Sequence, residues 1–243
     1  MSLSSDRVFV VVTRFLGRAS LLAIFVFILM GSLNLMTLNM GEFAALALDT
    51  FLSIAFFLQH SGMVRKSFQR WSGSFVGEKY HGALFTIASS ILLLLLVVLW
   101  QESSCTLYSA QGAYGVMLRS VFGLALLGFF WGARSLGRFD AFGLDPIINV
   151  TDSTKAKPKR LRIRGPYRWV RHPLYFFLLA MIWSCPHVTA DRLLFNLLWT
   201  IWIVVGTILE ESDLVALFGD EYQAYQNSVP MLIPTGIRPA AEV

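Results

Sequence analysis

Charge is scarce in this chain. Asp, Glu, Lys and Arg make up 14% of its 243 residues, against about 25% in soluble globular domains. With 56% hydrophobic residues and a mean hydropathy of +0.61, that deficit excludes a water-soluble domain. Cysteine is nearly absent too: Cys105 and Cys185 have no partners at metal-ligand spacing, so no metal site is expected. No internal repeat and no low-complexity linker interrupts the chain, which excludes a solenoid and argues for one domain over 1–243. Nothing at the start resembles a cleavable leader. Arg14 and Arg18 precede an apolar run that is too long for a signal h-region and lacks a small-residue cleavage site, so the first helix is expected to be retained.

What the chain does have is long apolar runs, at about 19–38, 43–60, 82–100, 113–133, 174–186 and 193–209, to be set against the roughly 20 residues that cross a hydrocarbon core. The first four are clear spans. The fifth ends early at Cys185-Pro186, as a tilted span or as a hairpin with the sixth. The pattern predicts an all-α, polytopic membrane helical bundle of five or six transmembrane helices, with a four-helix part over 1–133 and a second half over 134–243. Arg7, Arg14 and Arg18 precede the first span, and Arg65, Lys66, Arg70 and Lys79 lie between the second and third. Arg134, Arg138 and the run Lys155, Lys157, Lys159, Arg160, Arg162, Arg164, Arg168 and Arg171 lie between the fourth and fifth. The loops after the first and third spans carry no Lys or Arg. Basic residues stay on the cytoplasmic side, so both termini are expected there, and six crossings fit better than five. Cys105 and Cys185 then share the outer face, as a disulfide or as two independent thiols. The net charge of +5 is explained by topology and by contact with anionic membrane lipids, and implies no nucleic-acid partner.

Two pieces are expected to form a cytoplasmic cap. The stretch 134–172 is broken into loops by Gly143, Pro146, Pro158, Gly165 and Pro166. In 210–234, Leu214, Phe218, Tyr222 and Tyr225 recur at spacings of four, four and three, the period of one helix face, which predicts a C-terminal amphipathic helix lying on the membrane or over a site.

Polar chemistry concentrates in the segment from Gly165 to Tyr175. A residue before proline is pushed to extended backbone and proline suits the first helical position, so His172 should lead into a helix opening at Pro173. The amides of that first turn offer a seat for a carboxylate or ribose oxygen, beside the fork-shaped cation of Arg171. The plainer alternative is that Arg168 and Arg171 anchor a helix at the headgroups. Glu210 and Glu211 form a second cluster at a membrane boundary, where acids are costly unless paired or hydrated. They are either half of a clamp for a zwitterion or an ion-pair network closing the bundle. Gln59 and His60 sit at the end of the second span, at the depth of the His-Pro turn, as substrate contacts or as a helix cap. Asp49 and Arg119 are expected to pair structurally.

Arg171-His172-Pro173-Leu174-Tyr175, then Glu210-Glu211, Leu214, Phe218-Gly219, Tyr222, Tyr225 and Val229 to Pro234, resemble the C-terminal half of the isoprenylcysteine carboxyl methyltransferase superfamily, which includes phospholipid methyltransferases. Phe57 to Arg65, and Trp183 to Pro186 with Leu193 to Phe195, resemble bacterial methanethiol S-methyltransferases and their NnrU-like relatives. The likeness covers most of 50–234. It implies S-adenosylmethionine as cofactor, held by Tyr167, Arg171, His172, Pro173, Leu174, Tyr175, Glu210, Glu211 and Tyr222. It also implies an acceptor near Gln59, His60 and Phe177, with Arg171, His60 and Glu211 closest to the chemistry. The implied acceptor is a small apolar thiol such as methanethiol, and the implied setting is a bacterial inner membrane. The family pattern usually has glycine where this chain has Phe177, a ring that would narrow the acceptor pocket. A prenyl-cysteine carboxylate or lipid amine is the alternative acceptor. A sterol-type reductase using NADPH, with its phosphate site in the 155–171 run, and a non-enzymatic NnrU-like protein are the alternatives of other classes.

Overall fold

The structure, a computed structural model, describes residues 3–137, 140–148 and 161–235. Arg138, and Lys155, Lys157, Lys159 and Arg160 of the expected basic run, lie outside the described residues. Helices α1 (Leu3–Met30), α2 (Glu42–Val64), α3 (Lys66–Val76), α4 (His81–Leu99) and α5 (Gly112–Ser135) come first. After them follow the short α6 (Asp145–Ile148), then α7 (Pro173–Trp183), α8 (Ala190–Phe218) and α9 (Asp220–Ser228). Single 3₁₀ turns cover Glu78–Tyr80 and Gly165–Arg168, and the strands β1 (Thr106–Ser109) and β2 (His187–Thr189) pair with each other. Among the described residues five helices are long and apolar enough to cross a membrane, so the fold is an all-α membrane bundle. Helix α7 is apolar but has 11 residues, about 16 Å at the α-helical rise.

The helix ends differ from the hydropathy runs where backbone geometry intervenes. The first helix is α1, not 19–38: it begins before Arg14 and Arg18 and stops at Gly31, whose φ of +88° favours glycine and closes the helix with an N–H to the Phe27 carbonyl at 2.8 Å. A run scored by apolarity cannot see that Gly31 ends the helix or that arginines continue it on one face. The loop expected between the second and third spans contains the amphipathic helix α3. The C-terminal helix expected over 210–234 is two helices, because Gly219 at φ +57° separates the last turns of α8 from α9.

The chain forms two compact units. The first holds residues 1–105, 140–157 and 189–195, and in it α1 and α4 run in the same direction. Asp6 takes hydrogen bonds from Lys79 Nζ (3.0 Å) and Tyr80, Ser20 Oγ meets Ser90 Oγ at 3.1 Å, and Ser32 Oγ meets the Trp100 carbonyl at 3.3 Å. The face of α1 bearing Thr13, Ser20, Ile24, Phe27 and Ile28 is buried. Gly17 leaves room for the ring of Phe142, which a Cβ would meet at 2.6 Å, and Phe142, Leu144 and Ile147 pack with Tyr80 and Ala83.

Acids and an arginine close the far end of this unit. Arg192, 2% exposed, donates to the Phe27 carbonyl (2.9 Å), which also takes the Gly31 N–H, and to the Ile28 carbonyl, where the end of α1 runs short of backbone donors. Asp191 accepts from Trp100 Nε1 and the Ser103 N–H, both at 2.9 Å. Asp49, fully buried, accepts from the Gln101 N–H at 3.0 Å, while Arg119 is exposed. The expected Asp49–Arg119 pair is therefore replaced by a side-chain-to-backbone contact at one carboxylate oxygen, the other being buried without a hydrogen bond.

The second unit holds 106–139, 158–188 and 196–243, and its frame is α5 against α7. Gly128 and Gly132 stand one turn apart on α5 and form notches. A Cβ on Gly128 would meet Phe177 Cε1 at 2.3 Å, and one on Gly132 would meet Leu174 Cδ2 at 2.9 Å. This is the small-residue packing by which membrane helices approach closely. Cys105 and Cys185 are both free thiols.

Candidate functional site

The site is assembled within the second unit, where α7 starts, α8 ends and α9 folds back. Pro166 opens the 3₁₀ turn Gly165–Arg168, and Gly165 at φ +54° brings the chain against Ser135 and Trp131 of α5. His172 precedes α7 and Pro173 takes its first position, so the expected turn forms. The segment after α9 then lies beside it: the Arg171 N–H donates to the Pro230 carbonyl at 2.9 Å and the His172 N–H to the Met231 carbonyl at 3.1 Å. These two bonds hold the C-terminal stretch on the His-Pro turn, and they involve backbone atoms that no side-chain pattern encodes.

Glu211 is the hub. Its carboxylate accepts from Arg171 Nε (2.8 Å) and Nη2 (2.7 Å), in the bidentate geometry that guanidinium offers. It also accepts from Tyr222 Oη at 2.9 Å and Gln226 Nε2 at 2.6 Å, and pairs with His172 Nε2 at 2.8 Å. Arg171 Nη1 donates further to the carbonyls of Gln226 (3.0 Å) and Val229. Four of its five N–H groups are thereby spent inside the network. Burial pulls the Arg171 guanidinium down, but the Glu211 hydrogen bonds and charge outweigh it, and the group is held above its ordinary value. Burial and the bond to Glu211 push the Tyr222 phenol up. Both groups thus keep their protons, as donors to a carboxylate must.

Glu210, the adjacent acid, stands differently. It accepts one hydrogen bond, from Tyr175 Oη at 2.9 Å, lies 3.8 Å from His172 Nδ1, and its side chain is 44% exposed against 10% for Glu211. The rings of His172 and Tyr175 stack at 5.7 Å, 12° from parallel. Tyr167 belongs to the same wall: burial, then the charge of Glu210, pushes its phenol up, and its carbonyl accepts from Tyr225 Oη at 2.5 Å. Ile163, Tyr222, Tyr225 and Val229 form a small core beneath, with Leu214 and Phe218 against it. The periodic face Leu214, Phe218, Tyr222 and Tyr225 is thus packed into one cluster.

Of the residues singled out in the sequence, Tyr167, Arg171, His172, Pro173, Tyr175, Glu210, Glu211 and Tyr222 come together here. Leu174 and Phe177 face α5 instead, filling the Gly132 and Gly128 notches. The glycine missing at Phe177 is offset by one on the facing helix, Gly128, against which its ring packs. Gln59 and His60 belong to the first unit. There Gln59 Nε2 reaches Met63 Sδ (3.0 Å) and Ser89 Oγ (3.2 Å), and the His60 ring packs 5.3 Å from Phe56 and 4.8 Å from Phe85. Gln226 was not anticipated, although its place four residues after Tyr222 on one helix face was a usable signal. Among the described residues no group of His, Cys, Asp and Glu could hold a metal ion.

A family model described as NnrU protein matches residues 50–232. A protein of a Pseudomonas strain named methanethiol S-methyltransferase is 36% identical over 197 residues, 78% of this chain and 74% of that protein. Methanethiol S-methyltransferase 1 of Bradyrhizobium diazoefficiens is 32% identical over 244 residues, 95% of this chain and 85% of its own length. Nurim of Rattus norvegicus is 23% identical over 188 residues. No solved structure matches.

Proposed function

The chain belongs to the NnrU family, and from that premise we propose that it is an integral membrane S-methyltransferase acting on a small thiol, methanethiol to dimethyl sulfide, with S-adenosylmethionine as methyl donor. The observation that carries this reading is its likeness, over most of its length, to proteins named for that reaction. The family match also contains every residue of the Glu211 network.

The residues fit such a donor. Glu210 has one hydrogen bond, from Tyr175, and a half-exposed carboxylate, which suits the donor's α-amino group. Tyr167 and Tyr175 beside it supply aromatic surface for an adenine. Glu211 and Arg171 have nearly exhausted their hydrogen-bonding capacity on each other and on α9, so in this proposal they position the His172–Pro173 turn and Glu210 without contacting the donor. Bound there, S-adenosylmethionine supplies a methyl group on a sulfonium: the thiolate electron pair forms the new S–C bond as the old C–S bond breaks toward the donor sulfur. Holding donor and acceptor in line supplies much of the acceleration. A free cysteine thiol titrates near pH 8.5 and a simple alkyl thiol higher, so a base is needed to remove the proton at neutral pH, and His60 is the residue proposed for it, with Gln59 beside it for acceptor binding. On the positive-inside rule both termini face the cytoplasm, in a bacterial inner membrane.

Calorimetry on detergent-purified protein tests the reading, with S-adenosylhomocysteine and NADPH as the two probes. Binding of the first and not the second is expected. Heat from NADPH alone would move the protein to the reductase class, and heat from neither would leave a non-enzymatic family member. Headspace detection of dimethyl sulfide from cells fed methanethiol tests the acceptor.

A further inference from the structure

Arg14 and Arg18 are expected from the sequence to precede the first span, yet the structure places both well inside α1. The levels of α1 are set by its contacts with α4: Asp6 stands level with Lys79 and Tyr80, Ser20 with Ser90, and Ser32 with Trp100. If a hydrocarbon core of about 30 Å ends near Met30, a rise of 1.5 Å per residue puts its other boundary about 20 residues earlier, near Val10. Arg14 is then about 6 Å and Arg18 about 12 Å inside.

Both side chains are exposed, on the flank of α1 that turns away from the buried Thr13, Gly17 and Ser20. Val11 (65% exposed), Phe15 (70%) and Leu22 (67%) surround them, and the six residues from Val11 to Leu22 that line this strip form a shallow groove along the helix. Among the described residues neither guanidinium has an ion pair or a hydrogen bond. A cation left bare on a lipid-facing surface at this depth costs several kcal/mol, so the face needs an anion. Helical side chains lean toward the N-terminus and arginine stems lie along apolar surface while the head seeks polar contact. Both heads are therefore thrown toward the boundary near Asp6, where phospholipid phosphates lie. The two are one turn apart, close enough to share one phosphate, which guanidinium binds bidentately.

We propose that Arg14 and Arg18 form a binding site for the phosphate of an anionic phospholipid, whose acyl chain runs along Phe15 and Leu22. A second copy of this chain fits poorly: α1 carries one acid, Asp6, already engaged by Lys79 and Tyr80, so a two-fold contact through this face would set arginines against arginines.

Native mass spectrometry on protein released from nanodiscs of phosphatidylcholine with a minor share of phosphatidylglycerol reads the site directly. Wild-type protein should retain phosphatidylglycerol over phosphatidylcholine by about tenfold, and the pair Arg14→Gln, Arg18→Gln should lose that preference. Arg7→Gln, outside the core, should keep it. Should the pair not fold, Arg18→Gln alone gives the same reading with a smaller factor. Inorganic phosphate in large excess should leave the lipid adduct in place. Equal retention of both lipids by wild type, an unchanged preference in the Arg14/Arg18 variants, displacement by free phosphate, or a second copy or another protein released from this face would each overturn the proposal.

Discussion

Replacing Glu211 with alanine should detach the C-terminal segment from the His-Pro turn without unfolding the membrane helices. The substitution removes the acceptor for both Arg171 bonds and for those of Tyr222 and Gln226, while leaving the guanidinium buried, its side chain 9% exposed. Removing one partner of a buried ion pair costs about 3–5 kcal/mol. The cost falls locally, because α9 and the stretch 230–231 are tied to α7 by this hub and by two backbone bonds. At 1.4 kcal/mol per tenfold, the opening equilibrium of 220–231 should rise about 10²- to 4 × 10³-fold. Hydrogen–deuterium exchange of peptides from that segment, in detergent, reads this directly, with peptides from α4 as the internal reference. The double variant Arg171→Met, Glu211→Ala should lose less than the sum of the single variants, since neither charge is then left unpaired. Unchanged exchange in 220–231 of the single variant, or exchange that rises equally in α4, would refute the assignment of Glu211 as the fastener of this segment.

Glu210→Gln should weaken S-adenosylhomocysteine binding about tenfold or more, a charge-assisted contact being lost, while exchange in 220–231 stays at the wild-type level; calorimetry beside the exchange experiment separates the two acids, and an unchanged Kd would remove Glu210 from the donor site. Gly128→Val should lower the thermal midpoint in detergent, as overpacking costs about 1–3 kcal/mol, and Phe177→Ala in the same chain should restore part of the loss; absence of rescue would contradict the notch contact. Arg192→Ala leaves the Ile28 carbonyl without its side-chain donor, while the Phe27 carbonyl keeps the Gly31 N–H, so a loss of about 1–3 kcal/mol is expected for one buried acceptor, seen as earlier thermal unfolding and faster exchange at the end of α1.

Much of the site was legible because its chemistry lies in residue types that are rare on apolar ground. A carboxylate pair, an arginine and a proline turn at membrane boundaries need partners, so Arg171, His172, Glu210 and Glu211 announce themselves, as do Tyr222 and Tyr225 through their spacing. The Gly128 and Gly132 notches were readable in principle, four residues apart on one helix, but their partners were not: that Phe177 stands over Gly128 depends on the approach of α7 to α5.

Composition and the apolar runs determined that this chain is a helical membrane protein, because some 20 residues without charge have no other stable place than a bilayer, and no backbone form but helix that satisfies every N–H and C=O within the segment. Helix ends were determined only where a residue type enforces them, as Pro173 does at the start of α7. The tertiary structure decided which of two adjacent acids is enclosed and which is left open, since a shift of one position along a helix rotates a side chain by about 100° and exchanges a five-donor hub for a half-exposed carboxylate. It also carried Arg14 and Arg18 from their expected place before the first span onto the exposed flank of α1, since the reach of α1 is set by its contacts with α4 from Asp6 to Ser32, and hydropathy alone does not record them.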